Sequence, residues 1–316
     1  MELHPQARAV IDTFGRMNLI PPDKLPLAEA RVQFMQARTP FLAPVQEVAV
    51  ARDVSIPGPG GPLLVRVYRP LGSQPDEQLP ALIYFHGGGW VFGNLDSHDP
   101  LCRAICNGVR CVVVAVDYRL APEHRFPAAL EDTLAAIRYV AANAGAMGID
   151  ATRIAAAGDS AGGNLVAVAA IEFRDRGGPR MKLQVLLYPV TDLAMDSASY
   201  RELGEGYLLT YERMRYFREQ YLQPTQDVRD WRVSPLKARD VSNLPPALIL
   251  TASHDPLIDE GRAYAERLAQ ARVPVEYRCY EGAIHGFLTM AGAMDAGKDG
   301  TTQTVDALRR AFSATA

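Results

Sequence analysis

Gly158-Asp159-Ser160-Ala161-Gly162 reads G-x-S-x-G. A serine with small residues two before and two after it can occupy a strained strand-to-helix turn, where larger neighbours would collide. Its hydroxyl is then presented as a nucleophile. Residues 153–157 before it have strand character, and those from Gly162 onward have helix character. A helix that starts beside Ser160 aims free backbone N–H groups at the reacting atoms. A second cluster, His86-Gly87-Gly88-Gly89-Trp90, directly follows the apolar run 81–85. Three adjacent glycines let backbone N–H groups converge on one point, as stabilising an oxyanion requires. Neither G-x-x-x-x-G-K-[ST] nor G-x-G-x-x-G is present, so a phosphate cradle is not expected.

A nucleophilic serine needs a base, and the base needs an orienting acid. The chain has six histidines. His4 and His124 fall in terminal or loop segments, His86 belongs to the glycine loop and is expected to brace it, and His98 opens a helix. His254 adjoins Asp255, and adjacent side chains rarely face each other. His285, in the loop 282–287, follows one apolar run, and Asp255 follows another. Ser160, Asp255 and His285 thus come in serine–acid–histidine order at the C-terminal ends of strands, where open α/β sheets bind ligands. His98, Cys102 and Cys106 are spaced to share one helical face. With no CxxC, HExxH or fourth ligand beside them, they read as buried small side chains and not as a metal site.

The elements that must position these residues alternate. Runs 81–85, 112–116, 154–157, 183–188, 247–252 and 275–280 predict strands, mostly without polar alternation, as in a parallel sheet covered on both faces. Stretches 128–143, 161–174 and 259–272 predict helices between them, which makes right-handed βαβ units. Segments 45–56 and 63–69 alternate apolar and polar residues around the turn-rich 57–62, predicting an antiparallel hairpin at the sheet edge. Two regions break the rhythm. Residues 1–44 predict helices 5–18 and 27–38. Residues 194–233 predict a polar loop and a helix over 210–222, with Met214, Phe217 and Tyr221 on one face. Both are expected over the open end of the sheet, leaving 45–193 and 234–316 as the α/β core.

With 316 residues, 48% hydrophobic and 22% charged, the chain can bury a large core without disulfides or metals. A net charge of −3 with no basic run argues against a nucleic-acid surface. No run approaches 18 apolar residues, so no membrane span is expected. The first 18 residues carry acids and no long apolar stretch, so no export signal is expected. The four cysteines, Cys102, Cys106, Cys111 and Cys279, then read as reduced thiols and the location as cytoplasmic.

HGGGW at 86–90, DYRLAPEHRFPAAL at 117–130, GDSAGGN at 158–164, YPV at 188–190, DPLIDEG at 255–261 and HGF at 285–287 together resemble the hormone-sensitive-lipase-like esterases. GDSAG is similar to one of that family's two main subgroups. The resemblance implies an α/β-hydrolase fold, a mostly parallel sheet with helices on both faces and a helical cap, formed by 1–44 and 194–233. It implies Ser160 as nucleophile, Asp255 as acid and His285 as base, with Gly88, Gly89 and Ala161 as oxyanion-hole donors and no cofactor or metal. It implies a carboxylesterase for small-molecule esters of short to medium chain, in a family whose members are often homodimers. Activity is expected to rise as His285 loses its proton. An amidase, deacetylase or lactonase would use the same triad. A ligand receptor on this fold is disfavoured by the complete triad. Asp117, Tyr118, Arg119 and Glu123 are candidate braces behind the glycine loop, and Asp259 a brace for the acid loop. Trp90, Phe92, Tyr188, Leu208, Met214, Phe217 and Phe287 are candidate pocket walls.

Overall fold

The computed structural model describes residues 2–74 and 76–314. Eight strands form one sheet in the order β1-β2-β4-β3-β5-β6-β7-β8. They are β1 (Val50–Gly58), β2 (Gly61–Arg69), β3 (Leu79–Phe85), β4 (Val112–Val116), β5 (Ile149–Asp159), β6 (Gln184–Leu187), β7 (Ala247–His254) and β8 (Val275–Ile284). β2 runs antiparallel to both β1 and β4, and the remaining pairs are parallel. The expected hairpin is tighter than its proline- and glycine-rich sequence suggests. Its strands pair up to Gly58 opposite Gly61, leaving Pro59 and Gly60 as a two-residue turn.

The central strands are apolar on both faces because both are covered. Ala81, Ile83 and Phe85 of β3 join one hydrophobic cluster, and Leu82 and Tyr84 join the other. Helices α4 (Ala128–Ala142), α5 (Ala161–Arg176) and α8 (Ile258–Gln270) bury residues in the first cluster. Helices α1 (Pro5–Arg16), α3 (Asp99–Val109) and α9 (Asp295–Ser313) bury residues in the second. Burying one Leu or Val side chain contributes about 1.5–3 kcal/mol, so this two-sided packing supplies most of the drive to form the sheet.

α9 is an element that the sequence pattern does not announce. Its first turns, Asp295–Thr304, are polar and hold Gly297 and Gly300. Those glycines mark contact, not a break. A Cβ on Gly297 would stand 2.4 Å from Phe287 O, and one on Gly300 would meet the Phe287 ring at 3.0 Å.

Strand order places the site. From β3 the chain crosses to β4 on one side, and β5 returns to β3 on the other. Where neighbouring connections diverge in this way, a crevice opens at the carboxyl ends of the strands. Residues 86–90 leave β3 and residues 158–162 leave β5 at that crevice. Helix α2 (Leu27–Arg38), the short α6 (Ala198–Glu202) and α7 (Tyr211–Tyr221) come from the two regions outside the alternation. α7 buries Met214, Phe217 and Tyr221, the face its spacing predicts, and Thr210 caps it by accepting from Arg213 N–H at 3.1 Å.

Candidate active site

Ser160 has φ +54° and ψ −114° between β5 and α5. Holding a serine there costs about 1–3 kcal/mol, and the surrounding backbone dictates it. Ser160 N–H donates to Leu187 O at 2.8 Å, and Val190 N–H donates to Ser160 O at 3.2 Å. Glycine is required on both sides. A Cβ on Gly158 would stand 2.3 Å from the carbonyl carbon of Gly162, and one on Gly162 would stand 1.9 Å from Phe85 O. β3, the turn and α5 therefore meet backbone to backbone.

The three residues picked out along the chain converge. His285 Nε2 lies 3.0 Å from Ser160 Oγ, and His285 Nδ1 lies 2.7 Å from Asp255 Oδ2. Asp255 is fully buried, and its other oxygen accepts from Leu257 N–H at 2.9 Å. Tyr188 meets the His285 ring edge-on at 4.8 Å. His285 is held between an anion and a hydroxyl, with its orientation fixed from the side.

Gly88 and Gly89 have φ of +120° and +62°, a conformation that glycine adopts at little cost. Among the described residues, the backbone N–H groups of Gly88, Gly89 and Ala161 donate to no protein acceptor. Behind them lies Asp159. Its Oδ1 accepts from Tyr84 O–H at 2.9 Å and Gly87 N–H at 2.8 Å, and His98 Nε2 stands 3.0 Å away. Burial works against this carboxylate's charge, but His98 and the donors outweigh it and hold its pKa below the usual value. His98, read along the chain as a helix opener and as one of three buried side chains on a helical face, is thus the partner of Asp159. Their separation in sequence leaves no local signal. Cys102 and Cys106, further along α3, are buried. Among the described residues no three His, Cys, Asp or Glu side chains are grouped to hold a metal ion.

His86 bonds within the glycine loop, with Nδ1 2.8 Å from Gly87 O, and stacks on Tyr118 at 4.4 Å. Tyr118 O–H donates to His86 O at 2.7 Å. Burial, and then His98, push the His86 pKa down to about 4. The other expected braces divide. Arg119 pairs with Asp132 and Glu131, Glu123 pairs with Arg31 of α2, and Asp117 bonds through its backbone to Leu64 O. Arg31 also donates to Val91 O and Ala121 O, so Glu123 serves to hold α2 onto the glycine loop. Asp259 accepts from Ser199 N–H at 2.9 Å, and Ser199 O–H donates to Pro256 O, which steadies the loop carrying Asp255.

A cleft of about 200 Å³ opens above Ser160 and His285. Of the expected walls, Phe92, Leu208 and Phe217 line it. Phe217 closes against the loop so tightly that a Cβ on Gly89 would fall 2.2 Å from its ring. Trp90, Tyr188, Met214 and Phe287 lie outside the cleft wall. Trp90 is turned inward and stacks on Tyr221 at 4.2 Å, Tyr188 buttresses His285, and Met214 and Phe287 are core. The sequence reading missed Phe34 and Arg38 of α2, and Leu209 and Arg213 on the α7 side. Their types and spacing carry no motif.

The alpha/beta hydrolase fold family model matches residues 82–289, the span from β3 to the loop after His285. The chain is 39% identical to the carboxylesterase NlhH of Mycobacterium tuberculosis, over 99% of this chain and 97% of that one. It is also 39% identical to the ethyl acetate hydrolase of Pseudomonas putida, over 98% and 99%. Ester-hydrolase EH1AB1 from the metagenome of Lake Arreo, solved with a bipyridine phosphonate derivative, superimposes with a TM-score of 0.95 at 41% identity, covering 99% of this chain and 100% of that one. By fold, by family model and by full-length relatives, the chain belongs to the hormone-sensitive-lipase-like carboxylic ester hydrolases of the α/β-hydrolase family.

Proposed function

We propose that this protein is a serine carboxylesterase that cleaves small esters of short to medium chain through an acyl-enzyme. The observation that carries the reading is the unbroken relay from Asp255 through His285 to Ser160, at 2.7 and 3.0 Å. His285 Nε2 takes the Ser160 proton as Oγ attacks the ester carbonyl. The oxyanion that forms is received by the N–H groups of Gly88, Gly89 and Ala161. The alcohol leaves with the proton from His285, and water then repeats the sequence on the acyl-serine. Asp255 holds the His285 tautomer and stabilises its cation. Each oxyanion donor is expected to contribute about 10²–10³ in rate.

Chain-length preference follows from the space available. The cleft of about 200 Å³ lies below the roughly 300–1,000 Å³ of drug-sized sites, which favours small substrates. In this reading residues 1–44 and 194–233 act as a cap over the core formed by 45–193 and 234–316, with Phe34 and Phe217 facing the substrate. A cytoplasmic location is part of the proposal, supported by four cysteines without disulfide partners. So is a homodimer, which sedimentation analysis would test. Among the described residues, no helix is long and apolar enough to cross a membrane.

Hydrolysis of p-nitrophenyl esters from acetate to palmitate tests the reading. The expected result is a maximum at short or medium chains, and a loss in kcat of about 10⁶-fold in Ser160→Ala, as when a triad nucleophile is removed. Retained turnover in that variant would contradict it. Faster cleavage of matched amides or lactones would move the assignment to those substrates.

A further inference from the structure

The cleft above Ser160 holds two cations that ester hydrolysis does not require. Arg38 ends α2 and Arg213 lies in the first turn of α7, and both line the cleft together with Ser160 and His285. The guanidinium of Arg38 stands 3.7 Å from the centre of the Phe34 ring and 5.9 Å from that of Phe14. Such stacking occupies the π face of the cation and leaves its in-plane N–H groups free. Among the described residues, no carboxylate oxygen lies within 4.0 Å of either guanidinium, and neither donates a side-chain hydrogen bond to the protein. Three other arginines that anchor the fold, Arg31, Arg66 and Arg119, each meet a carboxylate at 2.9 Å or less.

Asp159, whose charge reaches Arg38, does not meet this need, because it is already engaged by Tyr84, Gly87 and His98. Burial, and then the like charge of Arg213, bring the Arg38 pKa down to about 9, which still leaves it cationic at neutral pH. Two like charges facing one partly apolar cleft, with their donors unused, oppose each other. An entering anion would relieve both the repulsion and the unmet hydrogen bonding, and a carboxylate matches the guanidinium fork.

We propose that the preferred ester carries a carboxylate in its acyl or alcohol half, received by Arg38 and Arg213 while the ester carbonyl lies over Ser160. This rests on the ester-hydrolase reading of the same cleft and narrows its substrate class.

The test is a pH-stat comparison at neutral pH and low salt. The anionic substrates are the monoethyl esters of succinic, glutaric and adipic acids, and 3-acetoxypropionate. Their neutral counterparts are ethyl butyrate, ethyl valerate, ethyl hexanoate and propyl acetate. The wild type is expected to favour at least one anionic ester over its counterpart by about 10–100-fold in kcat/KM, the range of a charge-assisted hydrogen-bonded pair. Arg38→Gln and Arg213→Gln are each expected to lower that ratio about tenfold or more, mainly through KM, with Arg213→Lys restoring part of it. Arg213→Glu is expected to reverse the preference toward esters of amino alcohols. Thermal melting and labelling by a fluorophosphonate establish that each variant is folded.

Two outcomes overturn the proposal while leaving the esterase reading intact. In one, the wild type cleaves p-nitrophenyl butyrate but favours no anionic ester. In the other, the anionic preference survives both glutamine substitutions. Failure to cleave any ester of either charge overturns the esterase reading, and this proposal with it.

Discussion

At the carboxyl ends of β3 and β5 the contacts are between backbones. Gly162 sits where a single added carbon would come within 1.9 Å of Phe85 O, and Gly87 sits where one would come within 2.9 Å of the backbone oxygen of Asp159. Above that floor, α2 and α7 are held by side chains. Arg31 reaches Val91 O and Glu123, Phe34 stacks near Phe92 at 5.1 Å, and Phe217 meets Phe92 edge-on at 5.6 Å. Backbone-to-backbone packing permits almost no substitution, so the floor keeps one geometry for the reacting atoms. Side-chain packing tolerates exchange at modest cost, so the walls can change shape without moving Ser160.

The largest contrast is expected at Asp255. Asp255→Asn leaves the shape of the floor in place but presents the wrong partner to His285 Nδ1, and should lower kcat by about 10⁴-fold. Melting curves and kcat on a short-chain p-nitrophenyl ester check this, and a loss under tenfold would mean that the acid is dispensable. Gly162→Ala comes next. The clash with Phe85 O must be relieved by separating β3 from α5, and overpacking of this kind costs about 1–3 kcal/mol or more. Both a lower melting temperature and loss of turnover are expected, and a variant with wild-type values would show that the contact is not limiting.

Acid sensitivity sharpens the same contrast. His86 is buried neutral, with its pKa lowered to about 4 from an unfolded value of about 6.5. Between those values the unfolded chain binds more protons, so stability falls as pH drops from about 6.5 toward 4 and is fully present above that window. The span corresponds to about 3 kcal/mol. His86→Asn should flatten this part of the curve in denaturant titrations at stepped pH. An unchanged slope would assign the acid sensitivity to other groups. The smallest effect is expected in the outer helices. Gly15 in α1 has nothing within 4 Å of its added Cβ. Gly15→Ala should therefore stabilise by about 0.5–1 kcal/mol without altering turnover. Destabilisation would show that α1 packs more closely than its open surroundings indicate.

What can be read along the chain follows the same division. Ser160, Asp255, His285 and the glycine loop are legible because the floor demands particular residue types at fixed places, at strand ends that apolar runs announce. β1 and β5 differ from expectation mainly at their ends, where pairing with a neighbour decides how far a strand extends. Helix α9 is hidden because its glycines, read locally, signal a break, whereas Phe287 and Leu288 require them for close packing. The His98–Asp159 pair and the meeting of Arg38 with Arg213 are created by topology between distant segments, and periodicity carries no trace of them. Trp90 misleads in the opposite way. It is an aromatic residue next to the glycine loop, but its backbone has φ +59° and its ring stacks on Tyr221 in the core.

The central claim is that Ser160, activated by His285, is the atom that attacks. Reacting the protein with a fluorophosphonate and mapping the adduct by peptide mass spectrometry tests it most directly. The account predicts one adduct, on the peptide containing Ser160, appearing in step with the loss of esterase activity and absent from Ser160→Ala. An adduct on another residue, or full inhibition without modification of Ser160, would contradict it.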